Sequence, residues 1–168
     1  MVNSNKIWVY ISIILAITIG TLSHFLYTWS GEARILSVFV PVNESVWEHL
    51  KMVYWPFLCI WGIYYLIKRP PNPQAWFFSS LLAILFAQYL ILSGHYLFRG
   101  STGKDAIIFD IFLFLLAVVW AQLWATKYYC KLKNPPPLVF TTLALFILAL
   151  LFMVFTYRPL NLPLFHEV

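Results

Sequence analysis

An all-α integral membrane bundle of five transmembrane helices is the fold this sequence predicts, on three observations. Hydrophobic residues make up 62% of the 168, charged residues only 10%, and the mean hydropathy is +0.80, well outside the balance of a soluble globular domain. Apolar stretches long enough to cross a hydrocarbon core of roughly 30 Å recur along the chain, at 7–27, 48–67, 75–98, 106–126 and 138–157. Each must be helical, because lipid offers no partner to backbone N–H and C=O groups. The connecting segments are short, without internal repeats or low-complexity tracts, so residues 1–168 read as a single domain.

The first span follows Lys6 in the manner of a secretory signal, but its apolar run is long and lacks a small-x-small cleavage site, so it reads as a helix that stays. Ala16, Gly20 and His24 recur along it every fourth residue, and Tyr27 extends the row. Small residues at that spacing let membrane helices approach closely, which aims His24 at another helix instead of lipid. Just before the second span, Ser45 and Glu48 form a capping-box pattern, Asn43 is an alternative N-cap, and acids suit a helix start. Pro56 alone interrupts a span and predicts a kink there.

On the third span, Gln88, His95 and Arg99 share one face; on the fourth, Asp110 shares a face with Phe114, Ala117 and Ala121. The fifth span cannot continue past Pro159, and the apolar tail beyond it either folds back over the bundle with His166 and Glu167 or lies along the membrane surface. Cys59 and Cys130 fall at different depths and are poor disulfide partners. Most Trp and Tyr residues lie near span ends, as an interfacial belt requires, and Trp29 and Trp47 flank the first loop as candidate pocket walls.

Five spans divide the charges between two sides. Side A holds Lys6, Lys68, Arg69, Lys127, Lys131 and Lys133 and no acid. Side B holds Arg34, Lys51, Arg99, Lys104 and Arg158, together with all the acids (Glu32, Glu44, Glu48, Asp105, Asp110, Glu167) and all the histidines (His24, His49, His95, His166). The undiluted basic charge of side A predicts a cell-membrane protein with a cytoplasmic N-terminus. A net charge of +5, split between two faces, predicts contact with anionic membrane lipid and not with nucleic acid.

The residues of interest concentrate in "VNESVWEHLK", positions 42–51, to which neighbouring spans add His24, His95 and Asp110 at a similar depth. Ionisable groups in spans are costly and usually face a bundle interior where they pair, so a shared polar pocket open to side B is expected. His24, His49, His95 and Glu44 supply N and O donors suited to zinc or another divalent metal; Glu48 and Asp110 are candidate catalytic carboxylates; Asn43, Ser45, Lys51, Arg99 and Tyr27 complete the pocket. Metal-assisted hydrolysis of a lipid or lipid-linked substrate, with Glu48 as general base, is one expectation. A small transporter-like or ligand-binding protein, with Asp110 paired switchably to Arg99 or Lys51, is a second, and a structural or assembly component is a third. Ser45 and His49 lie at i, i+4, but no Gly-x-Ser-x-Gly elbow accompanies them.

Gly20, His24, Phe25 and Tyr27, the stretch from Pro41 to Lys51 with its core Asn-Glu-Ser-x-Trp-Glu-His-Leu-Lys, and the Pro-x-x-x-Pro-Leu-Phe tail resemble a family of small bacterial multi-pass membrane proteins whose function is unassigned. The resemblance implies a bacterial five-span bundle and no particular activity. A looser similarity, in the combination of Ser, Asp and several His, links the chain to intramembrane hydrolases related to alkaline ceramidases; it departs from them in having fewer spans and no paired C-terminal histidines.

Overall fold

Helix starts and stops in the computed structural model, which describes residues 2–166, follow the polar punctuation of the chain. The helices are α1 (Val2–Trp29), the single turn α2 (Val46–His49), α3 (Lys51–Lys68), α4 (Pro73–Thr102), α5 (Ile107–Lys131) and α6 (Leu138–Tyr157), with 3-10 turns at Leu36–Val38 and Pro163–Phe165. No strand occurs among the described residues. Counting α2 and α3 together as Val46–Lys68, five helices are long and apolar enough to cross a membrane. The Lys6 side chain and Glu167, both part of the charge segregation, lie outside the described residues.

α1 packs against α3 and α5, and α4 packs against α3, α5 and α6, so α1, α3, α4 and α5 close a ring with α6 laid against it. Ala16, Val53, Phe57, Ile84, Ala87, Ala117, Val118 and Ala121 fill its core. Tyr54 ties α6 on by donating its hydroxyl proton to the Leu145 carbonyl at 2.7 Å.

The tightest approach in the ring combines two features of the sequence. Pro56 has no N–H, so the Met52 carbonyl one turn earlier loses its helical donor. Gly20 of α1 sits against that freed carbonyl: a Cβ added to Gly20 would lie 2.7 Å from Met52 O and 2.8 Å from Phe114 Cζ of α5. No L side chain fits there without moving backbone. Pro56 thereby frees the carbonyl that forms the floor on which α1 rests. Gly20→Val should push α1 outward and lower stability by about 1–3 kcal/mol, the usual cost of overpacking, a loss that thermal unfolding in detergent micelles would read.

The tryptophans and tyrosines assigned to a belt divide into exposed and buried sets. Trp29, Trp120, Trp124 and Tyr157 are exposed. Trp61 and Trp76 are buried; their rings meet at 4.4 Å, tilted by 45°, and Trp76 also meets Tyr64 and Tyr129 at 4.9 and 5.2 Å. Trp61 donates to Gln122 Oε1 and Trp76 to the Trp61 carbonyl, both at 3.0 Å. These rings plug the side A end of the ring from within, and the acceptors that Trp61 and Trp76 find there offset the cost of burying their indole N–H groups. Cys59 and Cys130 are free and exposed.

Candidate metal centre

At the side B end, three short-range decisions of the backbone bring donors together. The close seat of Gly20 holds α1 against the start of the second span, and His24, one turn further on, inherits that proximity. Asn43 Oδ1 accepts the Ser45 N–H at 3.0 Å, and Ser45 Oγ accepts the Glu48 N–H at 3.4 Å, so the turn that starts α2 is held twice over. Glu44, between those two caps, is left to point outward, with its side chain 63% exposed. His49 ends the first turn.

The result is a three-donor cluster. His24 Nε2 lies 3.5 Å from Glu44 Oε2, His49 Nε2 lies 3.4 Å from the same oxygen, and the two imidazole nitrogens are 3.2 Å apart. All three donor atoms fall within 4.8 Å of one another. His49 Nδ1 is 2.8 Å from the Ser45 carbonyl, which can only accept, so the ring proton sits on Nδ1 and Nε2 presents its lone pair to the cluster. An outer hydrogen bond of this kind fixes tautomer and ring orientation in metal-ligating histidines. Two imidazoles and one carboxylate are a known zinc donor set, and three protein ligands leave a position open for water.

The other residues expected in one pocket are distributed among separate pairs. Glu48, read from sequence as the general base, is 2% exposed, and both of its oxygens are engaged: Oε2 accepts from Lys51 Nζ at 2.6 Å and from the Val42 N–H at 3.1 Å, while Oε1 is 2.9 Å from the Thr156 hydroxyl. It therefore holds the structure together, with both oxygens tied to the protein and little access for a water. The capping box is half realised, since Glu48 reaches past the Ser45 N–H to that of Val42.

Lys51 is fully buried, with short bonds to the Ser37 carbonyl (2.7 Å) and Thr156 Oγ1 (2.6 Å) besides Glu48, and a longer one to the Val40 carbonyl (3.4 Å), so every ammonium proton has an acceptor. Its expected pairing with Asp110 is replaced by this one. Asp110 instead accepts from His95 Nδ1 at 3.0 Å, and Arg99 pairs with Asp105 at 3.3 Å across the α4–α5 turn. His95 is accordingly not among the three clustered donors, contrary to its reading as a ligand. Tyr27 contributes its carbonyl, which accepts from Ser30 Oγ and the Glu32 N–H where α1 ends.

Thr156 had no signal in the sequence: a single threonine in the last turn of α6 says nothing of the lysine it will meet. Of the two tryptophans, Trp47 packs on Phe152, Phe155 and Phe165, and Trp29 stacks on Phe25. Phe165 is buried, so the tail does fold back, onto α2 and α6, while His166 bonds Asn161 at 2.9 Å and stays out of the cluster.

A helical bundle with five helices of membrane-spanning length and a two-histidine, one-glutamate cluster at one end is the class these features define. Within it, the chain belongs to the family of unknown function DUF6512, whose family model matches residues 1–168. No curated protein and no solved structure matches it.

Proposed function

We propose that this protein spans the membrane with its N-terminus inside, binds a divalent metal of the zinc class through His24, Glu44 and His49, and uses it to hydrolyse an ester, amide or phosphoester of a lipid or lipid-linked substrate. The observation that carries the reading is the convergence of the three donor atoms within 4.8 Å, with His49 already oriented by the Ser45 carbonyl. Three protein donors at an accessible position match the catalytic arrangement of zinc and not the closed four-ligand structural one. The cluster lies at the end of helices of membrane-spanning length, so a lipid headgroup is the polar chemistry that such a site meets. A metal there would polarise a carbonyl or phosphoryl oxygen and make bound water a nucleophile near neutral pH. Glu48, Lys51 and Thr156 fit an assembly role within the same protein, holding the 37–44 segment that carries Glu44.

Protein purified in mild detergent without chelators should take up one equivalent of zinc. His24→Ala and His49→Ala should each weaken binding by at least about 100-fold, beyond the 10–100-fold that loss of an outer-shell partner costs. Metal analysis after equilibration with zinc, and competition with a chromogenic chelator, read both quantities. Failure to bind zinc or cobalt, or unchanged affinity in both variants, would overturn the assignment.

A further inference from the structure

A buried histidine outside the cluster has an unmet hydrogen-bonding demand. His95 is 5% exposed; its Nδ1 donates to Asp110 Oδ1 at 3.0 Å, and its Nε2 is buried with no partner. An ionised carboxylate can only accept, so the proton resides on Nδ1 and the lone pair on Nε2. Gly94, next to His95, makes the pair possible: a Cβ there would meet Leu113 at 2.5 Å, so α4 and α5 close up where His95 faces Asp110.

The pair lies toward the metal-site end of the ring, as two neighbouring contacts indicate. Gln88, two turns before His95 on the same face of α4, donates to the carbonyl of Leu50, the residue after His49, at 3.4 Å. Asp110 lies one turn before Phe114, which packs on Gly20, and Gly20 lies one turn before His24. Elements carrying both histidines of the cluster thus flank the pair. His95 is not one of the three donors within mutual reach, so its buried lone pair is free of the proposed metal and suits a water.

We propose that His95 is the general base of the hydrolytic reading above, on which this inference rests, and that Asp110 is its positioning residue. The water's O–H bond breaks as its oxygen bonds to the carbonyl carbon or phosphorus, and the proton passes to His95 Nε2. His95 returns that proton to the departing oxygen or nitrogen, so the products are an acid and an alcohol or amine, and the imidazole is neutral again. Asp110 remains ionised throughout, fixing the tautomer and stabilising the transient imidazolium.

The test uses the zinc-loaded full-length protein in micelles with p-nitrophenyl butyrate and bis(p-nitrophenyl) phosphate as probes. His95→Gln should keep a full equivalent of zinc and lose about 100-fold or more in kcat. In His95→Ala, added imidazole should restore part of the rate; in Asp110→Asn, kcat should fall without such rescue. His95→Gln with full zinc and parental kcat overturns the base assignment and leaves the metal site standing. Absence of zinc-dependent turnover of either probe by the loaded parent overturns the hydrolytic reading and this inference together. Where the His95 variants fail to assemble, Asp110→Asn decides: full zinc with reduced kcat supports the proposal, and parental kcat overturns it.

Discussion

Lys51→Met is expected to destabilise the protein by about 3–5 kcal/mol, the cost of leaving a buried charge without its partner. Glu48 would remain 2% exposed, keeping the Val42 N–H and the Thr156 hydroxyl but losing the ammonium at 2.6 Å that balances its charge. Methionine fills similar volume, so packing changes little and the loss reports the charge. The Ser37 carbonyl would lose its 2.7 Å donor in the same step, and with it the 37–44 segment loses an anchor. Zinc affinity should then fall by roughly 10–100-fold, as when a metal ligand loses its outer support. Thermal unfolding followed by circular dichroism reads the first effect and chelator competition the second. The double variant Glu48→Gln/Lys51→Met should recover most of the stability, because removing both charges of a buried pair is often nearly neutral. A double variant as unstable as the single would mean that shape, not charge, is what Lys51 supplies.

The reason such a pair could not be assigned from sequence is geometric. Composition and span length decide that there are five long helices, since hydrocarbon thickness imposes the same length on each. Four-residue spacing decides which face of α1 turns inward: Ala16 is buried in the core, Gly20 sits against Met52 of α3, and His24 meets His49. The cap at Ser45 was also readable, being local.

Partner choice among ionisable groups was not. Glu48, Lys51, Asp110 and His95 all lie near one end, and which pairs with which depends on a few ångströms of helix rotation and on hydroxyls such as Thr156 that carry no pattern. The expectation of one shared pocket therefore separated into a donor cluster, a buried ion pair and an Asp–His pair. Likewise, the indoles that plug side A carry the same span-end positions as those that face outward; the acceptors that meet Trp61 and Trp76 come from other helices and leave no local pattern.

Zinc itself should raise the protein's stability, and the size of the gain follows from mass action. A ligand that binds only the folded state adds about 2.7 kcal/mol at a free concentration 100 times its Kd, so Tm should climb with zinc and fall back when a chelator is added. The native cluster is poised to take the ion: His24 Nε2 and His49 Nε2 stand 3.2 Å apart beside one carboxylate oxygen, a spacing at which two protonated nitrogens would repel and one cation between two lone pairs would not. Protons compete for those same lone pairs, so the zinc-dependent rise in Tm should shrink as the solution is acidified. The His24→Ala protein should show almost none of the rise at any pH, whereas His166→Ala, whose imidazole bonds Asn161 instead of the cluster, should show all of it. An equal zinc response in both variants would place the ion elsewhere. A response lost only with His24 ties the stability of the whole bundle to the seat that Gly20 and the carbonyl freed by Pro56 provide for α1.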